Sequence, residues 1–245
     1  MGSDITIIGN SVAMNRIRNL LERVAPRDTT VLITGEAGTG KEFFARAVHQ
    51  RSARRDRPFV AVDCAAITNR GFQYELPRSY RKDVLEDLYE MAQDSTMFLG
   101  EVGAFSLDVQ SKLLRLLQQP LFHNIAATAS NPVRFIAATA LDLAEEVSKG
   151  QFREDLYARL NVVTIDLPPL REHKDDIPLL ADHFIHQLAR HYNRHITGLS
   201  PSARAVLLRY DWPFNIRELK QALEHAVLGS EREYISPEDL PNRLL

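Results

Sequence analysis

The feature that most constrains the fold is a glycine-rich loop between an apolar strand-like run and a helical pattern. It follows Thr30 to Thr34 and consists of Gly35-Glu36-Ala37-Gly38-Thr39-Gly40-Lys41-Glu42. Glycines in such a turn let backbone N–H groups point at phosphate oxygens, the next helix adds its N-terminal dipole, and Lys41 reaches the terminal phosphates. Because strand, glycine spacing, lysine and helix all agree, the sequence predicts a phosphate-binding P-loop.

Strand-like apolar runs alternate with helical segments over the first two thirds of the chain. The predicted strands are Thr30 to Thr34, Phe59 to Asp63, Ser95 to Leu99, Arg134 to Thr139 and Val162 to Leu167. The predicted helices are Ala13 to Val24, Glu42 to Arg51, Val84 to Gln93, Leu107 to Gln118 and Arg153 to Leu160. This alternation is typical of a three-layer α/β domain with a mostly parallel sheet.

The pattern changes after Pro168-Pro169-Leu170, and from Ile177 onward only helical periodicity is visible. Ser200-Pro201 and Ser236-Pro237 are predicted helix starts, because a capping hydroxyl followed by proline favours the first helical turn. We therefore predict an α/β core over residues 5–170 and a small all-helical domain over residues 171–245.

Composition is that of an ordinary globular chain, with 245 residues, 44% hydrophobic and 25% charged. A net charge of −2 argues against a broad nucleic-acid-binding face. The single cysteine, Cys64, excludes an internal disulfide and is interpreted as a small buried residue in a reducing compartment. No apolar run approaches membrane-spanning length and no secretory signal is visible, so we expect a cytoplasmic protein without a membrane contact.

Several motifs occur in a fixed order along the chain. Besides the P-loop they are Ile8-Gly9-Asn10-Ser11 and the runs at 59–66, 110–118, 152–162, 167–180 and 212–220. With these motifs the chain resembles the central AAA+ domain of bacterial enhancer-binding proteins, which activate sigma-54 RNA polymerase. The resemblance implies a P-loop ATPase core with a helical lid, which binds ATP or ADP and assembles with its own copies, from a dimer to a ring.

The same resemblance implies roles for individual residues. Glu101 would polarise the attacking water, while Arg153 and Arg159 would reach into a neighbouring subunit's site. The implied nucleotide-binding residues are Ile8, Gly9, Gly35, Glu36, Ala37, Gly38, Thr39, Gly40, Lys41, Glu42, Thr139 and Arg217. For Arg153 and Arg159 the alternative is surface ion pairing with Glu154 and Asp155.

Departures from the family pattern cluster around the expected phosphates. Gly100 replaces an aspartate that organises Mg²⁺, and Glu42 stands where P-loop proteins in general have a Ser or Thr metal ligand, so Mg²⁺ binding should be weakened. Asp63 replaces an asparagine and would repel Glu101. Ala140 replaces the asparagine that senses the γ-phosphate, and only Thr139 keeps a polar side chain there. We assign no protein metal site and expect weak or absent ATP hydrolysis.

The loop by which the family contacts the sigma factor, bearing GAFTGA, is missing between Cys64 and Phe98. We therefore expect no activation of sigma-54 polymerase. The basic residues Arg78, Arg81 and Lys82 in that interval form a solvated turn by default. An alternative is that they hold an anionic ligand such as a cyclic dinucleotide.

The leading interpretation is a transcription regulator in which nucleotide sets the assembly state, with RNA polymerase as a partner. DNA would be bound through a C-terminal domain outside these 245 residues. The rivals are a working ring ATPase and an oligomerisation scaffold with a vestigial pocket. His191, His195 and His225 lack metal-ligand spacing and are interpreted as lid residues.

Overall fold

The computed structural model of the protein describes residues 5–64, 84–118 and 133–245. They divide into two compact units. The core unit comprises Ile5, Asn19–Gly35 and the described part of Lys41–Asp166, and the lid unit comprises Thr6–Arg18, Glu36–Gly40 and Leu167–Leu245. Across the described ranges, no helix is long and apolar enough to cross a membrane.

The core unit contains a five-stranded, all-parallel sheet. Its strands are β1 (Val31–Thr34), β2 (Phe59–Asp63), β3 (Ser95–Gly100), β4 (Val133–Thr139) and β5 (Val163–Asp166), in the order β2-β3-β4-β1-β5. Strands β1, β3 and β4 are buried almost throughout, which explains their continuous apolar sequence. The predicted parallel α/β architecture is confirmed.

Six helices are described before the end of the sheet. They are α1 (Val12–Val24), α2 (Lys41–Gln50), α3 (Val84–Met91), α4 (Leu107–Gln118), α5 (Leu143–Ser148) and α6 (Glu154–Leu160). Helix α5 was not predicted, because six residues are too few to show a period. Asp142 caps its N-terminus, with a carboxylate that accepts from the Ala144 and Glu145 N–H groups. Arg153, predicted to be helical, has extended backbone before α6.

Sheet register brings the predicted site residues of the core to one edge. Thr34 pairs with Thr139 across β1 and β4, and Asp63 pairs with Gly100 across β2 and β3. Since the strands are parallel, their carboxyl ends meet at this edge, where ligands of open α/β sheets bind. Gly35 and Glu101 follow directly from these strand ends.

The lid unit has its own apolar core around Trp212, which is fully buried and donates from Nε1 to the Leu207 carbonyl at 2.9 Å. Its helices are α7 (Ile177–His191), α8 (Pro201–Arg209) and α9 (Asn215–Gly229). Ser200 caps α8 as predicted, accepting from the Ala203 N–H at 3.2 Å. The unit also contains two short parallel strands, β6 (Gly198–Leu199) and β7 (Tyr234–Ile235), which are too short to interrupt the helical pattern of the sequence.

Candidate functional site

The P-loop backbone turns where only glycine fits. Gly38 has φ +83°, and a Cβ there would lie 2.1 Å from the Phe214 carbonyl oxygen. A real Cβ never approaches a backbone atom so closely, and positive φ is itself unfavourable for other residues. The glycine at position 38 is therefore required both by the backbone conformation and by the neighbouring lid backbone.

The first two carbonyl groups of the P-loop are anchored by the loop's own side chains. The Gly35 carbonyl accepts from Lys41 Nζ at 2.8 Å. The Glu36 carbonyl accepts from Thr39, at 2.9 Å from Oγ1 and at 3.4 Å from the N–H group. Both oxygens therefore have hydrogen-bond donors within the loop and its following lysine.

The next two carbonyl groups are anchored by residues of α9. The Ala37 carbonyl accepts from Asn215 Nδ2 at 3.0 Å, and the Gly38 carbonyl accepts from the Arg217 N–H at 3.2 Å. By contrast, the N–H groups of Ala37, Gly38 and Gly40 donate to no residue within the described ranges. Anchored carbonyls beside N–H groups without a described partner are the arrangement expected of an anion-binding loop, and phosphate binding here stays a prediction.

Lys41 and Glu101 form an ion pair in the core unit. Lys41 is only 8% exposed, and its Nζ lies 3.0 Å from Glu101 Oε1. The second carboxylate oxygen of Glu101 accepts from the Ala140 N–H at 2.9 Å. Glu101 has left-handed backbone, with φ 57°, which is uncommon for a non-glycine residue. Its carboxylate is thus engaged by the very lysine that the phosphates of a nucleotide would contact.

The carboxylates near this edge are a poor donor set for Mg²⁺. Glu42 accepts from Arg46 Nε and Nη2 at 2.9 and 2.7 Å, an exposed ion pair one turn along α2. Gly100 offers no side chain, Glu101 is already engaged, and Asp166, in register with Thr34, accepts from Thr34 Oγ1 at 2.9 Å. Among the described residues no group of three His, Cys, Asp or Glu side chains is arranged to hold a metal. Weakened Mg²⁺ binding stays a prediction, because Mg²⁺ beside a nucleotide takes only one or two ligands from the protein and the rest from phosphates and water.

In the lid unit, the segment of Ile8 and Gly9 is held by a buried carboxylate. Asp176 is 1% exposed and its Oδ1 accepts from the Asn10 and Ser11 N–H groups at 2.6 and 2.9 Å. Burial raises the pKa of Asp176, but hydrogen bonds from Ser11 and Asn10 outweigh it and hold the pKa below its ordinary value. Gly9 has φ +129° and a Cβ there would lie 2.9 Å from this carboxyl group.

Glu36 is fixed to the lid through its side chain. Its carboxylate accepts two hydrogen bonds from Arg171, at 2.9 and 2.5 Å, and a third from Asn215 Nδ2 at 3.1 Å. The Arg171 and Asn215 hydrogen bonds lower the pKa of Glu36 to about 2. The side chain of Arg217, the predicted nucleotide contact, is exposed and makes no hydrogen bond or ion pair with another described residue.

The two predicted intersubunit arginines differ in their surroundings. Arg153 donates to both carboxylate oxygens of Asp155, at 3.0 and 2.7 Å, and to Ser111 Oγ at 3.2 Å. This is the ion-pairing arrangement considered as the alternative for Arg153. Arg159 is exposed on α6, and its side chain contacts no hydrogen-bonding or charged partner in the described part of the chain. A role of either arginine in a neighbouring subunit stays a prediction.

Three residues that contact the predicted nucleotide segments were not singled out from the sequence: Arg171, Asp176 and Asn215. All three lie in the motifs at 167–180 and 212–220. The sequence analysis identified these motifs but gave these three residues no role in them. Residues 65–83 lie outside the described ranges, and with them most of the interval lacking GAFTGA and the basic residues Arg78, Arg81 and Lys82.

Comparison with known proteins agrees with this geometry. Residues 7–166 match the Sigma-54 interaction domain family and residues 171–245 match the AAA+ ATPase lid domain family. The structure of NtrX from Brucella abortus in complex with ADP superposes with a TM-score of 0.83 at 33% identity, covering 100% of this chain and 57% of NtrX. The ATP complex of NtrX gives a TM-score of 0.81 at 33% identity over the same shares of both chains.

Curated relatives are transcription regulators. The transcriptional regulatory protein ZraR of Salmonella typhimurium is 46% identical over 244 residues, which cover 96% of this chain and 55% of ZraR. The regulatory protein AtoC of Escherichia coli is 40% identical over 246 residues, 97% of this chain and 53% of AtoC. The chain thus spans about half the length of these relatives. It belongs to the Sigma-54 interaction domain family and continues into an AAA+ lid domain, as the order of its motifs indicated.

Proposed function

We propose that this chain is the nucleotide-binding domain of a transcription regulator and binds ATP or ADP through its P-loop. The observation that carries the proposal is the backbone of residues 35–40, in which four successive carbonyls are anchored while the N–H groups of Ala37, Gly38 and Gly40 donate to none of the described residues. Lys41 supplies the positive charge beside them. The ADP and ATP complexes of the similar protein NtrX support the choice of ligand.

Hydrolysis by this domain is slow or absent. Glu101 would have to leave Lys41 and the Ala140 N–H before it could polarise a water molecule. No carboxylate at position 100 assists Mg²⁺, so charge developing on the phosphates is less well neutralised. Nucleotide therefore acts as a ligand that favours one assembly state of the protein over another, since a ligand shifts an equilibrium by its differential affinity.

The competing function is a working ring ATPase. One observation favours it: Arg159 is exposed and unengaged by described residues, as an arginine that enters a neighbour's site must be. The two functions share nucleotide binding and self-association, and they differ in turnover. In both, the protein is cytoplasmic and meets RNA polymerase, with DNA contacted by a further domain.

The experiment that tests the proposal is calorimetric titration of the purified protein with ADP. Wild type should bind, and Lys41→Ala should bind about 10- to 100-fold more weakly because a charge-assisted contact to phosphate is lost. Lys149→Ala is the matched control, since this exposed lysine at the end of α5 pairs with Glu145 and Glu146 of that helix. Equal ADP affinity of wild type and Lys41→Ala would reject the proposal.

A further inference from the structure

The buried side chain of Asn215 uses both its oxygen and its nitrogen to connect the lid with the P-loop. It is fully buried and has left-handed backbone with φ 54°. Its Oδ1 accepts from the Leu170 N–H at 2.8 Å, while Nδ2 donates to Glu36 Oε2 at 3.1 Å and to the Ala37 carbonyl at 3.0 Å. One carboxamide therefore joins the start of the lid to the first half of the P-loop.

The surroundings of Asn215 reinforce the same connection. Arg171 holds the Glu36 carboxylate from its other side, and the Arg217 N–H holds the Gly38 carbonyl. Gly38 itself lies against the Phe214 backbone with no room for a side chain. These contacts explain why residues 36–40 pack as part of the lid unit although they follow a strand of the core.

The hydrogen bond to Ala37 has a direct consequence for anion binding. In a trans peptide the carbonyl of one residue and the N–H of the next point in opposite directions. Drawing the Ala37 oxygen toward Asn215 therefore turns the Gly38 N–H away from the lid side chain and leaves it open for a phosphate oxygen. The side chain of Asn215 sets the orientation of that peptide.

We propose that Asn215 is a positioning residue for nucleotide binding, which holds the P-loop in its phosphate-accepting shape from the lid. This inference rests on the proposed binding of ATP or ADP through the loop. Because Asn215 is hydrogen-bonded to Glu36 and Ala37, a change in the lid around Asn215 alters phosphate affinity without touching Lys41.

Aspartate is the substitution that separates positioning from a merely structural role. Like asparagine it tolerates left-handed backbone, and it keeps an oxygen for the Leu170 N–H. Its second oxygen, however, would face the Glu36 carboxylate and the Ala37 carbonyl, where a donor is needed. Asn215→Asp therefore preserves the size and backbone of the residue and reverses its effect on the loop.

The experiment measures the Kd for ADP and the thermal midpoint of each variant side by side. Asn215→Asp should weaken ADP binding by about 10- to 100-fold, because the two hydrogen bonds donated by the buried Asn215 Nδ2 are lost and the new carboxylate faces that of Glu36. Combining it with Glu36→Gln should recover part of this loss, because the new amide at position 36 can donate to the new carboxylate. Tyr192→Phe is the control: it removes a lid hydrogen bond to Glu224 that does not involve the loop.

The outcomes separate the two proposals. If wild type binds ADP and Asn215→Asp lowers only the thermal midpoint, as Tyr192→Phe should, positioning by Asn215 is refuted while nucleotide binding stands. If wild type does not bind ADP, both are refuted. Should Asn215→Asp not fold, Arg171→Met is the second variant, because it removes the hydrogen bonds that half-exposed Arg171 donates to Glu36. It should weaken ADP binding about 3- to 10-fold. An unchanged Kd for that variant overturns the inference.

Discussion

Rebuilding the metal and sensor positions of the core should convert this domain into a faster ATPase. The variant combines Gly100→Asp, Asp63→Asn and Ala140→Asn, three adjustments at the carboxyl edge of the sheet. Position 100 accepts a side chain: a Cβ there lies 3.3 Å from Phe98 Cε1 and 3.5 Å from the Val62 carbonyl oxygen. The nearer contact is the edge of a ring that has to move by only a few tenths of an ångström, so the substitution should not unfold the core.

The expected gain follows from the charge that each change supplies. An aspartate at position 100 adds a metal ligand, and a metal that neutralises charge between the phosphates contributes several kcal/mol to lowering the barrier. Asn at position 63 removes a competing negative charge from the residue in register with position 100. If the rebuilt site lowers the activation barrier by about 2.7 kcal/mol, turnover should rise about 100-fold.

Steady-state phosphate release at saturating ATP and Mg²⁺ measures this gain, with Lys41→Ala added to each protein to define the background. Gly100→Ala is the matched control, since it adds the Cβ without the ligand and should leave turnover unchanged. A wild-type rate equal to that of the rebuilt protein would refute the interpretation of these positions, and the ring-ATPase function would then be preferred.

Two other outcomes are expected. His49 is buried, with Nδ1 2.8 Å from Thr96 Oγ1 and Nε2 3.1 Å from the Arg57 carbonyl, and desolvation lowers its pKa below the ordinary 6.5. As the pH falls, His49 is therefore protonated in the unfolded chain before it is protonated in the folded protein, and the stability that neutral His49 contributes above pH 6.5 is lost below that pH. Between pH 7.5 and 5.5 the urea midpoint should fall less for His49→Gln than for wild type. An equal fall in both proteins would contradict the lowered pKa of His49. In a purified transcription assay with sigma-54 holoenzyme and ATP, open-complex formation should stay at background because the GAFTGA motif is missing, and robust ATP-dependent activation would show that residues 67–95 replace it.

The sequence by itself determined the features that depend on neighbours along the chain. Strand β1, the glycine loop and α2 are contiguous, so apolar run, glycine spacing and helical period together predicted a P-loop with a phosphate-facing backbone. The buried strands β3 and β4 were equally visible, because strands covered on both faces are apolar throughout. The cap of α8 at Ser200 was predicted for the same local reason.

Tertiary structure alone decided how the side chains of this site are engaged. The ion pair of Lys41 with Glu101 depends on the order of the strands, which composition and periodicity do not specify. Asn215 contacts Glu36 across 179 residues of sequence, and Asp176 contacts Asn10 across 166. A single sequence records the type and spacing of these residues, but the direction of each side chain is set by the packing of elements far apart in the chain, so the anchored loop became visible only in three dimensions.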